Sequence, residues 1–192
     1  GTDIKLETIG YSKPLKINDV TVSFHPAGHI PGSAQIKISH KGQSCVVSGD
    51  YKLEDDGLCT PFEPVKCNEF VTESTFGLPI YQWQPQTAIF TEINNWWRKN
   101  KEEGKTTILF AYALGKAQRI MANLDTSIGI IYTHGAVENA TEALRKNGLK
   151  LPHTVQVTKD TPKKDFAGNI VIATPASIGT SWIKKFAPFS TG

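Results

Sequence analysis

Two histidines and an aspartate are the residues best suited to chemistry. His25 and His29 stand four apart in His25-Pro26-Ala27-Gly28-His29, directly after the apolar run Val20–Phe24. Four is the spacing of a metal-binding pair on one helix face, but Pro26 and Gly28 oppose a helix and put the pair on a turn. Gly28 permits the sharp bend that would aim His29 inward, so only one of the two is expected to face a site. Spacing alone favours a hydrogen-bonded loop histidine. Asp50 follows another apolar run, Ser44–Ser48, and Gly49. Its carboxylate either caps the next turn or reaches into a site. Imidazole nitrogen and carboxylate oxygen together suit zinc or a similar divalent ion. Two ligands do not complete such a site, which takes four in a structural centre or three plus water in a catalytic one. His40 at a hairpin turn, His153 in a loop and His134 after a later strand do not supply the deficit.

Further polar groups also follow apolar runs. Glu73-Ser74-Thr75 is either a plain turn or, with a buried carboxylate, an anchor behind a metal-ligating histidine. Lys116-Ala117-Gln118-Arg119 opens a helix after Gly115, and a helix start attracts phosphate through free N–H groups and its dipole. A solvated helix start is the plainer reading. The triphosphate-binding pattern GxxxxGK[ST] fails, because Phe110 holds the place of its first Gly and Ala117 that of its Ser or Thr. Trp83, Trp96 and Trp97 are expected to pack in a core rather than stack on bases. Thr174–Trp182 reads as a loop into a helix, with Thr180 as N-cap.

The elements that must position these groups divide near residue 77. Before it, short β-branched runs bounded by Gly, Pro or Asp predict strands at Val20–Phe24, Ala34–Ser39, Ser44–Ser48 and Glu69–Thr72, with Lys41-Gly42 as a hairpin turn. After it, helices at Gln86–Glu103, Lys116–Asn123, Val137–Asn147 and Ser181–Phe186 alternate with strands at Thr107–Tyr112, Gly129–Tyr132, Thr154–Val157 and Asn169–Ala173. Such alternation predicts a parallel sheet covered by helices. An antiparallel, strand-rich front is thus joined to an α/β back. Four of the polar turns follow strand ends, where loops converge on ligands in α/β proteins.

The chain has 192 residues, 39% hydrophobic and 20% charged, with a formal charge of +3. This excludes a disordered chain, and no apolar run approaches the ~20 residues of a membrane span. The small positive charge does not diagnose a nucleic-acid binder. Cys45, Cys59 and Cys67 lack CxxC spacing and read as free thiols of a reducing compartment, hence the cytoplasm. The opening Gly1-Thr2-Asp3-Ile4-Lys5 lacks a signal-peptide order, and the missing initial Met suggests a processed product or a fragment.

Taken together, HPAGHIPGSAQI (His25–Ile36), VVSGDYK (Val46–Lys52), FVTESTFGLPIY (Phe70–Tyr81) and FAYALGKAQRI (Phe110–Ile120) resemble consecutive signatures of the β-CASP nucleases. These are metallo-β-lactamase-fold enzymes that cut DNA or RNA phosphodiesters. Within that group the likeness is best to bacterial DNA ligase-associated exonucleases, also labelled mRNA 3′-end processing factor homologues. It extends through CTPFEPVKC (Cys59–Cys67), INNWWR (Ile93–Arg98) and THGAV (Thr133–Val137). The resemblance implies an incomplete αββα metallo-β-lactamase-type portion over residues 1–76 and most of an α/β β-CASP domain over 77–192. It makes His29 a metal ligand, Asp50 a bridge between two metal ions and Glu73 an acidic support of the catalytic site. It places Gly115–Arg119 near the substrate; phosphate contacts for Lys116, Gln118 and Arg119 rest on the helix start.

The family's upstream HxHxDH and its downstream histidines have no counterpart here. The resemblance therefore implies the middle of a longer protein, inactive as this piece alone. For the whole protein it implies hydrolysis assisted by two divalent ions, zinc first and manganese second. The implied activity is exonucleolytic cleavage of DNA in repair, with single-stranded DNA or RNA as partner, alongside a DNA ligase or helicase assembly and without a membrane. An RNA-processing nuclease, a non-catalytic nucleic-acid-binding module and a small-ester hydrolase of glyoxalase type are the alternatives; the GKAQRI insertion counts against the last.

Overall fold

A computed structural model describes residues 6–192, so the N-terminal pentapeptide read above for a signal sequence lies outside the described residues. The chain forms two compact units, Gly1–Tyr81 and Gln82–Gly192. It is a mixed α/β protein.

Unit 1 is a single five-stranded sheet in the order β1 (Leu15–Ile17), β2 (Val20–Pro26), β3 (Ala34–His40), β4 (Gln43–Val47), β5 (Glu69–Val71). Its first four strands are antiparallel neighbours. Lys41 and Gly42 join β3 to β4 with φ of 46° and 81°, the left-handed pair that matches the twist of a two-residue hairpin. The front is not wholly antiparallel as expected, because β5 pairs parallel with β4. The long connection from residue 48 to 68 allows this, since a parallel neighbour needs a crossover. Among its described residues unit 1 contains no α-helix.

Residues directly opposite in adjacent strands share a face. Val22, Ile38 and Cys45 are opposite one another, as are Phe24, Ile36 and Val47. Leu15 faces Val22, Ile17 faces Val20, and Val71 faces Val47. That face is therefore mainly apolar, with Glu69 opposite Cys45 and the His40–Gln43 pair as its polar members, yet Leu15, Ile17, Ile36, Ile38, Val47 and Val71 are 37–53% exposed. The other face carries Ser23, His25, Gln35, Lys37 and Val46, and the crossover lies against it: Gln35 Nε2 donates to Glu63 O and Lys37 Nζ to Lys66 O.

Unit 2 is a parallel sheet in the order β10 (Phe189–Thr191), β6 (Thr106–Phe110), β9 (Ile170–Ala173), β7 (Ile131–Thr133), β8 (Val155–Gln156). Alternation along the strands feeds two cores. Leu109, Ile131, Ile170 and Ile172 join Trp97 of α1 (Gln86–Glu102), Met121 of α2 (Lys116–Ala122) and Val137 of α3 (Gly135–Lys146). Ile108, Tyr132, Val171 and Ala173 join Phe166, Phe186 and Ile183, the last from α4 (Ser181–Lys184). A parallel sheet buried on both sides is the expected outcome of strand–helix alternation. Trp97 is fully buried and Trp96 partly so, but Trp83 is 71% exposed, against the core role expected of it. Thr180 is the N-cap of α4 by position, while its hydroxyl donates backwards to Ser177 O (2.7 Å) instead of capping. Among the described residues no helix is long and apolar enough to cross a membrane.

Candidate functional site

The register of unit 1 brings three turns to one end of its sheet. Pro26 ends β2 opposite Ala34, which begins β3, and Val47 ends β4 beside Val71, which ends β5. The His25–His29, Gly49-Asp50 and Glu73 segments all leave from that edge. Their loops are tied by backbone: Lys52 N donates to Ala27 O (3.0 Å) and Ser48 N to Val71 O (2.9 Å).

His29 Nε2 and Asp50 Oδ2 meet at 3.7 Å, with side chains 37% and 74% exposed. That is beyond hydrogen-bond length but within the span of one ion bound to both, since zinc sits about 2.0–2.2 Å from each such donor. The turn is built for this aim. Gly28 has φ +70°, and a Cβ there would stand 2.4 Å from Lys52 O. Ser33 Oγ accepts from the N–H groups of His29 and Ile30 at 3.1 and 3.2 Å.

His25 takes the other role. It lies within β2 rather than on the turn, and its ring meets Glu63 Oε1 and Ser23 Oγ, each at 3.1 Å. Glu63 N donates to Pro26 O (3.1 Å), and Gln35 Nε2 donates to Pro26 O (2.9 Å) and Glu63 O (2.7 Å). Gln35 and Glu63 thus clamp the foot of the His29 loop. Sequence reasoning missed both, because their contacts reach across the crossover; the one available signal was a glutamine amid an alternating apolar strand. Gln35 Oε1 is buried without a partner. Beyond Asp50, the buried Asp56 carboxylate accepts from the N–H groups of Leu58 and Cys59 at 3.0 Å and pairs with Lys52. Burial by itself would raise this carboxyl, but the hydrogen bonds from Lys52, Cys59 and Leu58, with the Lys52 charge, hold its pKa below the usual 3.8.

Glu73 is half-buried and accepts from Thr75 N at 2.7 Å, so its carboxylate closes its own turn. His40 pairs with Asp19 (2.7 Å), and His134 Nδ1 accepts from Ala136 N (3.2 Å) to cap α3. Among the described residues no group of three or more His, Cys, Asp or Glu is placed to hold a metal. The two donors present fit a divalent ion as a partial shell. Cys45 and Cys67 are free thiols, and Cys59 Sγ donates to Asp56 Oδ2 (3.8 Å).

The expected phosphate segment in unit 2 is differently built. α2 has seven residues, and its leading N–H groups are occupied: Gly115 N by Gln118 Oε1 (2.7 Å), Lys116 N by Leu114 O, Ala117 N by Tyr112 O. Gln118 is fully buried, and its Nε2 donates to Ala113 O (2.9 Å) and Thr141 Oγ1 (3.0 Å). It shapes the turn and has no donor left over for phosphate, which corrects the expectation. Arg119 is half-buried with Nε on Gln86 Oε1 (2.8 Å). Lys116 is exposed, its ammonium 5.2 Å from the Tyr112 ring centre.

No family model matches the chain. Among curated proteins it is 27% identical over 168 residues to a probable DNA ligase of Opitutus terrae, across 87% of this chain and 16% of that protein. It is 30% identical over 125 residues to endoribonuclease ysh1 of Aspergillus fumigatus, across 62% of this chain and 14% of the relative. Endoribonuclease YSH1 of Saccharomyces cerevisiae is 30% identical over 123 residues, across 63% of this chain and 16% of the relative. The chain thus spans about a sixth of the length of these relatives. They bear out the family resemblance carried by the sequence motifs.

Proposed function

We propose that this chain, by its resemblance to the β-CASP nucleases, carries part of the metal site of a nuclease that hydrolyses phosphodiester bonds, and that it belongs to a longer protein. The observation that carries the reading is the convergence of His29 and Asp50, from two separate strand ends, to 3.7 Å. Divalent ions held there, zinc first and manganese second, would supply Lewis-acid polarisation of the scissile phosphate and a more acidic water. Asp50 offers a second carboxylate oxygen for a bridging role. His29 contributes one nitrogen, aimed by Gly28 and held by Ser33. Glu73 stiffens the adjoining turn, and Lys116 and Arg119 are the cations offered to the substrate backbone.

The open apolar face of unit 1 supports the incomplete αββα arrangement. A face of valine, leucine and isoleucine left half-exposed is the surface on which a second sheet packs, at about 10 Å spacing. Exonucleolytic action on DNA in repair is the first substrate reading, favoured by the match to a ligase over most of this chain. The endoribonuclease relatives favour RNA processing as the second. A DNA ligase or helicase assembly and a cytoplasmic setting belong to the first.

The decisive experiment compares cleavage of end-labelled single-stranded DNA and RNA by the intact protein, with and without chelator, for wild type and Asp50→Ala. Chelator and the substitution should each remove cleavage by at least about a hundredfold, while circular dichroism stays native. Equal, chelator-resistant cleavage, or near-normal turnover by Asp50→Ala, overturns the assignment. The 192-residue chain alone should not cleave either strand.

A further inference from the structure

The +3 charge of the whole chain conceals an asymmetry. Residues 1–81 hold seven Lys and Arg against ten Asp and Glu, whereas residues 82–192 hold fourteen against eight. Within unit 2, one surface is especially basic. The segment after β8 carries Lys159, Lys163 and Lys164, and the end of α4 carries Lys184 and Lys185. Lys185 Nζ donates to Thr158 O (2.5 Å), and the Phe166 and Phe186 rings meet at 4.7 Å, so these two segments form one surface. Asp160 and Asp165 are the acidic residues in the same stretches.

Beside Lys184 lies a hollow of about 300 Å³, lined by Phe110, Ile178, Ile183 and Phe189, with Thr180, Thr191 and Lys184 as polar members. Phe110 ends β6, and Ile178 and Thr180 follow β9. The hollow therefore reaches from the edge strand β10, whose Phe189 pairs with Thr106 at the start of β6, to the carboxyl ends of β6 and β9, where parallel α/β sheets take ligands. Its size is at the lower limit for small-ligand sites, suited to one flat ring system. Its walls are mainly apolar, with two aromatic rings, and Lys184, next in sequence to Lys185, is among its lining residues.

We propose that this hollow is a subsite for one base of a single-stranded nucleic acid, with Lys184 and its neighbouring lysines on the flanking phosphates. The inference rests on the nuclease reading and deepens it by locating a substrate contact away from the His29–Asp50 pair. A strand that alternates anionic phosphate with flat apolar rings matches a surface that alternates ammonium groups with an aromatic hollow. A duplex keeps its bases stacked and could use only the lysines.

The test measures binding to the 192-residue chain of a fluorescein-labelled 12-nucleotide oligothymidylate at low salt. Inorganic polyphosphate, a 12-base-pair duplex and anionic phospholipid vesicles serve as competitors. Ile178→Ser is the principal variant, because Ile178 is 61% exposed and its loss leaves both cores intact. It should weaken oligothymidylate about five- to tenfold and leave polyphosphate within twofold, whereas Lys184→Gln weakens both. Equal losses for oligothymidylate and polyphosphate, no loss for either, or preferential capture by duplex or vesicles overturns the subsite. Failure of the nuclease reading is seen separately, as cleavage by the intact protein that ignores Asp50→Ala. An Ile178→Ser protein with unchanged strand affinity and intact metal-dependent cleavage overturns the subsite alone.

Discussion

The two units solve the burial problem in opposite ways. In unit 2 every central strand is apolar on both faces, and helices or turns cover each face; Ile108, Ile170, Val171 and Ile172 are completely buried. In unit 1 the covered face is the polar one, held by Gln35, Lys37 and His25, while the apolar face remains half-exposed. Burial of apolar area drives folding at roughly 25 cal/mol per Å², so unit 2 contains its own driving force and unit 1 borrows part of its own. The unit with the His29–Asp50 pair is the less self-sufficient one. Its site is correspondingly held by hydrogen bonds and a backbone close approach rather than by a core.

Separating the units should expose this difference most strongly. Gln82–Gly192 expressed alone should unfold in one cooperative denaturant transition and exclude hydrophobic dye. Gly1–Tyr81 alone should bind the dye and self-associate, because a contiguous apolar face of this kind is an aggregation surface. A monomeric, dye-free, cooperatively unfolding Gly1–Tyr81 would break the contrast and remove the support it lends to a covering second sheet.

A smaller effect sharpens the contrast within unit 1. Gly28→Ala forces a side chain into a left-handed backbone and against Lys52 O, for which about 2–3 kcal/mol is expected. The loss should fall on unit 1 and leave amide exchange in β6 and β9 unchanged. In the same variant the His29 ring resonances should shift, since the turn that aims the ring is displaced. An unaltered His29 environment would show that the turn does not set its position.

Most of unit 2 was legible in the sequence because long amphipathic helices and buried strands each carry a strong period. β1 and β10 were not, since Lys16 separates Leu15 from Ile17 and two polar residues follow Phe189, whereas the equally short edge strand β5 has Phe70 and Val71 adjacent. Gln118 was misplaced for a related reason. A glutamine between Lys116 and Arg119 reads as surface, although Ala117, Gln118 and Met121 form the inward side of one short helix. At the site, the strand-then-glycine pattern put His29 and Asp50 on turns at strand ends, and only the family resemblance joined them as metal ligands; the structure sets the two side chains 3.7 Å apart. The Gln35–Glu63 clamp was beyond reach, because its partners lie 28 residues apart on a crossover without a period.

The least dramatic expectation concerns pH and the turn that follows Asp50. The Asp56 side chain is 2% exposed, and its pKa is held below the ordinary value by Lys52 and two backbone N–H groups despite the opposing effect of burial. A carboxyl depressed in the folded state binds its proton more weakly there than in the unfolded chain. Its contribution to stability is therefore complete above the unfolded pKa of about 3.9 and is lost as pH falls through the folded value. Amide protection of Leu58 and Cys59 should consequently decline below about pH 4, with unit 2 still protected. Lys52→Met removes the largest of the groups that lower the pKa, so that decline should move to higher pH. Because Lys52 N also anchors Ala27 O at the foot of the His29 turn, acid should loosen the histidine loop together with residues 52–59. If the His29 amide kept full protection while Leu58 and Cys59 lost theirs, the two turns would be mechanically independent, and the borrowed order of unit 1 would stop short of its site.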